Sequence, residues 1–155
     1  MASSTLPVRR RDRLVRQLLT AHDLLGAWED SLRADADTAN AANTDALIAL
    51  LVETRVSLLR RLDELEEAPP VRVESRAPFA VRLSNDAKSG GRSLKNASRR
   101  SARVCVRACR ACGRALVRAF REAQRAADSA TANVLYGSLR RVEKQLWVLD
   151  PLQSR

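Results

Sequence analysis

Seven arginines, Arg103, Arg107, Arg110, Arg114, Arg118, Arg121 and Arg125, recur at steps of 4, 3, 4, 4, 3 and 4 residues. The mean step is 3.67 residues, and only an α-helix lines up side chains at that period. At 1.5 Å rise per residue the arginines form one ridge roughly 33 Å long. Between them run Cys105, Cys109, Cys112, Leu116, Ala119 and Ala123, on the opposite face. A helix with one strongly cationic side and one small apolar side must lay the second against other elements. It therefore belongs to a packed helical assembly.

Three further stretches supply those elements. Residues 10–34 carry Leu14, Leu18, Ala21, Leu25, Trp28 and Leu32 at alternating steps of 4 and 3, widened by Val15, Leu19 and His22. Residues 45–67 carry Leu47, Leu51, Thr54, Leu58, Leu62 and Leu65, and Pro69-Pro70 cannot continue that helix. Thr44-Asp45 reads as its N-cap and first-turn acid. Residues 92–127 hold the arginine ridge. Residues 129–149 carry Val134, Leu135, Leu139, Val142, Leu146 and Leu149; Asp128 or Ser129 caps them and Asp150-Pro151 closes them. Asp35–Asn43 is a small, polar break.

Residues 68–91 differ, with three prolines, adjacent Gly90-Gly91 and little periodicity. Val71–Leu83 alternates weakly, but no other stretch offers a partner strand. The segment reads as a long crossover connection. The expected fold is all-α: a four-helix bundle of the ferritin-like kind, two helical hairpins joined by that crossover. Residues 1–9 read as a flexible basic arm, and residues 10–155 as one domain. Leu18, Leu25, Leu51, Leu58, Leu116, Leu139 and Leu146 are expected in its core.

Charge is unevenly distributed. Residues 1–68 hold nine basic and twelve acidic side chains, for −3, whereas residues 69–127 reach +12 and residues 128–155 only +1. Arginine makes forked hydrogen bonds to phosphates and carboxylates. The ridge thus reads as a polyanion-binding surface, nucleic acid first, with Arg9, Arg10, Arg11 and Arg13 as a second basic cluster. The competing reading is a solvated face paired with Asp63, Glu64, Glu66 and Glu67 or with a sister subunit. Arg9–Arg13, in turn, can serve as a plain solubility tail. With aromatics at 3% of the chain, single-strand readers built on exposed rings are not expected.

Residues suited to other chemistry are few. Cys105-x3-Cys109-x2-Cys112 has the spacing of the cluster loop of radical-SAM enzymes, yet here it lies inside a helical pattern beside Ala108, Ala111 and Ala115. Small buried thiols at a close helix contact are the expected role. Zinc needs a fourth ligand, which His22 supplies only if the bundle brings it there. His22 is the single histidine; Glu53, Glu122 and Glu143 are its candidate carboxylate partners, and no Glu-x-x-His pair exists. No Ser/His/Asp set, phosphate loop or dinucleotide turn is present. No apolar run reaches the length of a membrane span. Residues 1–8 do not read as a secretory signal, although the Ser- and Arg-rich start faintly resembles an organelle transit peptide. Three clustered cysteines suit a reducing compartment, so a cytoplasmic site is expected, nucleoid-associated if bacterial.

Thr131, Ala132, Leu135 and the run Glu143-Lys144-Gln145-Leu146-Trp147-x-Leu149 resemble the closing helix of the Dps family, the ferritin-like DNA-protection proteins of starved cells. Arg121-Glu122-Ala123 and Ala126-Ala127-Asp128 fit the same pattern. The resemblance covers about 40 of the 155 residues, mainly 110–150. It implies a ferritin-like bundle, a hollow homo-oligomer (usually of twelve subunits), iron storage and DNA binding through basic termini. The family's first helix carries a His-Trp pair, a second His and an acidic cluster that bind iron. Here His22 is followed by Asp23 and there is no second His. No ferroxidase ligand carries over, so iron remains a possible cargo without an assigned site. The expectation is a Dps-like protein that self-associates and binds DNA or another polyanion without ferroxidase chemistry. The alternatives are a structural subunit of a larger nucleoprotein or protein assembly, and an iron-storing ferroxidase with a rebuilt site.

Overall fold

The computed structural model describes residues 7–34, 41–66 and 94–153, with side chains described only for 7–34, 41–66 and 101–149. The proposed linker 68–91, the extended stretch 71–83 and most of the proposed arm lie outside these residues. Four helices account for nearly all that is described: α1 (Val8–Ala34), α2 (Ala41–Glu66), α3 (Leu94–Arg125) and α4 (Ser129–Gln153). The described residues contain no strand.

The apolar stripes meet in one core. Leu14, Leu18, Leu25 and Leu32 of α1 and Leu47, Leu51, Leu58 and Leu62 of α2 are buried together. Cys105, Cys109, Cys112, Leu116, Ala119 and Ala123 of α3 join them, with Leu135, Val142 and Leu149 of α4. The small residues of α3 suit close helix contact, and α3 packs most extensively, against α4 and α1. α1 also packs on α2, and α2 touches α4 more lightly. Arg61 meets Asp128 and Thr131, while Glu53 meets Arg141, so α2 and α4 are antiparallel. Val142 opposes Gly113 and Tyr136 opposes Phe120, so α3 and α4 are antiparallel too. α2 and α3 therefore run in the same direction on opposite corners of the bundle. Between them, Thr44 Oγ1 lies 3.8 Å from Cys105 Sγ in the buried interior.

Several local expectations change. α2 starts at Ala41, so Thr44 lies within the helix, buried, and is not its cap. Its hydroxyl meets a thiol of α3 where a cap would meet its own backbone. α1 starts at Val8, with the Pro7 carbonyl accepting from the amides of Arg10 (2.8 Å) and Arg11 (3.1 Å), so Arg9–Arg13 are helical. α4 runs through Pro151 to Gln153, because a proline in a last turn forfeits a single helical hydrogen bond. Leu146 is only partly buried.

The α3–α4 junction is compact. Ala127 has φ of 56°. Its amide donates to the Gln124 carbonyl and the Asp128 amide donates to that of Ala123, both at 3.0 Å, closing α3 in the pattern of a Schellman cap. Asp128 then caps α4: its Oδ1 accepts from the Thr131 amide at 3.0 Å and its Oδ2 from the Thr131 hydroxyl.

Candidate nucleic-acid interface

The arginine ridge follows from the packing of α3. Once its Cys/Leu/Ala face is buried, the opposite face must point outward. Arg103, Arg107, Arg110, Arg114, Arg118, Arg121 and Arg125 are all exposed. Arg125 pairs with Glu122 one turn back. Arg103, Arg107, Arg114, Arg118 and Arg121 form no ion pair with another described residue. The acidic end of α2 does not cover the ridge. Asp63, Glu64 and Glu66 are exposed on the corner diagonal to α3, and Glu64 pairs with Arg61 of its own helix. Pairing of the ridge with the acids of α2 within one chain is thereby excluded for these residues; Glu67 lies outside the described region.

The second basic cluster has a different setting. Arg9, Arg10 and Arg13 are exposed and Arg11 is half-buried, at the start of α1. That first turn carries no acid. Cations at a helix N-terminus oppose the helix dipole, at a cost of roughly 0.3–1 kcal/mol each when exposed. A polyanion there would relieve that repulsion.

Between α3 and α4 runs an open groove of about 510 Å³. Its floor is apolar, formed by Cys109, Gly113 and Val117 of α3 with Leu139, Val142 and Leu146 of α4. Arg110, Arg114, Arg118 and Arg121 line its α3 side, and Glu143 lines its α4 side. Tyr136 and Trp147 are exposed on α4, Trp147 to 81%. Tyr136 packs against Phe120 with ring centroids 6.4 Å apart, and the Arg140 guanidinium lies 6.0 Å from its ring centre. Charge spacing alone did not reveal this groove. Its signal was the edge of the α4 stripe, where the partly buried Leu146 is followed by the exposed Trp147 and Val148.

The candidate metal residues do not converge. His22 Nδ1 lies 3.2 Å from Asp23 Oδ1, and its Nε2 is buried without a partner. Glu53 is exposed and pairs with Arg141 on α4, while Glu122 pairs with Arg125. Glu143 sits in the groove. Among the described residues no group of three His, Cys, Asp or Glu is placed to hold a metal ion. Cys109 and Cys112 are buried, and burial, with the neighbouring cysteine adding to it, pushes each thiol up to about 12. Neutral buried thiols are poor nucleophiles and poor ligands.

Two buried carboxylates hold the scaffold. Burial alone would raise the pKa of Glu29, but hydrogen bonds from Arg55 (2.7 Å) and Arg33 (2.9 and 3.1 Å) outweigh it and leave it below the ordinary value. Gly26 makes room for the Arg55 guanidinium, which would stand 3.1 Å from a Cβ at that position. Asp128 is likewise held low against burial, by Thr131 and Arg61.

Among the described residues no helix is long and apolar enough to cross a membrane. No protein-family model matches this chain, and no significant similarity to a curated protein or to a solved structure is found.

Proposed function

We propose that the chain is a ferritin-like, Dps-type helical bundle that self-associates and binds DNA or another polyanion non-specifically, without ferroxidase chemistry. The observation that carries this reading is the exposure of all seven arginines of α3 along one ridge. Phosphates on a polyanion would relieve its self-repulsion, and contacts to a backbone need no base-reading motif. The ferritin-like assignment draws on the neighbour pattern: α1 beside α2 and α3, α4 beside α3 and α2, with α2 and α3 parallel on a diagonal. That order is the one a long crossover between the second and third helices would produce. The absence of ferroxidase chemistry is inferred from the sequence, which has the single His22, followed by Asp23, and no Glu-x-x-His pair.

Self-association draws on a second surface. Val52, Val56 and Leu59 are exposed at helical spacing on α2, and Asp63 and Glu66 continue the same line. Such a stripe suits a protein partner. Light scattering on the eluting protein tests it: a mass several times 17.2 kDa is expected, and a monomer would remove this part of the reading.

The binding claim is tested by reversing Arg107, Arg114, Arg118 and Arg121 to Glu. The variant should keep its helical circular dichroism and lose affinity for duplex DNA at low salt. A folded variant that binds DNA as wild type does would remove the ridge from the function. Unfolding of the variant, with no DNA affinity in the wild type, would make the ridge an internal protein contact.

A further inference from the structure

The ridge and the α3–α4 groove differ in chemistry across a few ångströms, and that difference specifies a ligand. On the α3 side stand guanidinium groups, which suit phosphates. The floor is apolar, and a phosphate would be desolvated there without a partner. On the α4 side stands Glu143, whose carboxylate repels phosphate but accepts hydrogen bonds from the amino or imino N–H groups of unpaired bases. Beyond it, Tyr136 and Trp147 offer exposed rings eleven residues apart, roughly 16 Å along the helix.

We infer that this face binds single-stranded nucleic acid, its phosphates along the arginine ridge and its unpaired bases turned into the groove and onto Trp147 and Tyr136. The inference rests on the polyanion reading above and narrows it. A duplex hides its bases, leaving the apolar floor and both rings unused. Its strands also wind once around the axis in about 34 Å. A straight ridge of roughly 33 Å laid along the axis would therefore meet fewer phosphates on a duplex than on a single strand that follows it. A single strand can follow the ridge over its whole length. Base–ring stacking is indifferent to base identity, so no sequence preference is required. Two rings on one face suffice here, and the low aromatic content of the chain concealed them.

The test uses the full chain with a labelled twelve-nucleotide oligothymidine, the matching twelve-base-pair duplex and inorganic polyphosphate, at low salt. Trp28 is buried, so Trp147 dominates any change in tryptophan emission on binding. Expected are quenching by oligothymidine but not by polyphosphate, and tighter binding of oligothymidine than of the duplex. Trp147→Ala should weaken oligothymidine binding at least about fivefold and leave duplex binding unchanged. Equal or tighter duplex binding, or a Trp147→Ala variant with unaltered oligothymidine affinity, overturns the single-strand inference and leaves the polyanion reading standing. Failure of all three probes to bind overturns both.

Discussion

Arg61 of α2 holds both carboxylate oxygens of Asp128 at 3.1 Å, while its Nε donates to the Thr131 hydroxyl at 2.7 Å. Asp128 is at once the N-cap of α4 and the residue that closes the Schellman turn of α3. One buried carboxylate thus joins three helices. Asp128→Ala removes the cap and leaves Arg61 half-buried with only Glu64 and the Thr131 hydroxyl beside it. The expected loss is about 3 kcal/mol in urea unfolding. Asp128→Asn keeps an acceptor for the cap and should cost less. Equal stability of Asp128→Ala and wild type would show that the triad is ornamental.

The same carboxylates set the acid limit of the fold. Glu29 and Asp128 both have folded-state pKa values below their ordinary ones. A depressed carboxylate contributes stability above its unfolded pKa, about 4, and that contribution is lost as pH falls through the lower folded value. Unfolding free energy should be flat near neutrality and drop below about pH 4. Asp128→Asn should show a shallower drop than wild type. An identical drop in both would assign acid sensitivity to other groups.

Ala127 occupies a left-handed position that favours glycine. Ala127→Gly removes the Cβ crowding but frees the unfolded chain. The balance should favour the variant by about 0.5–1 kcal/mol, a rise of roughly 1–4 °C in Tm. A lower Tm would mean that Ala127 makes contacts that outweigh its backbone strain.

The three cysteines are buried. At pH 8 the thiols of the native protein should react with Ellman's reagent far more slowly than those of the denatured chain. Fast stoichiometric labelling of the native protein would contradict the packing of α3.

Much of the fold was legible because burial and periodicity coincide. The stripes from Leu14 to Leu32, from Leu47 to Leu65 and from Cys105 to Ala123 are buried as their spacing requires. The outward direction of the ridge follows from the same pattern. Three-dimensional relationships were not legible. Arg61 and Asp128 lie 67 residues apart, and nothing in their neighbours marks them as partners. Thr44 looked like a cap because a Thr-Asp pair suits one, but α2 begins three residues earlier and turns Thr44 into the core against Cys105. Leu146 and Trp147 lie at the edge of a stripe, where a small rotation of α4 decides which side chain is covered. The groove is the consequence, and helix rotation is set by packing rather than by local sequence.

The most direct measurement is the salt dependence of duplex-DNA binding by wild type and by the Arg107/Arg114/Arg118/Arg121→Glu variant. Each phosphate neutralised contributes about −0.9 to the slope of log K against log salt. Wild type should give a steep negative slope worth several phosphates, and the folded variant should retain little affinity and a nearly flat slope. A wild-type protein without affinity for duplex, oligothymidine or polyphosphate at low salt, or a folded variant with an unchanged slope, would contradict the assignment of the α3 ridge to a polyanion.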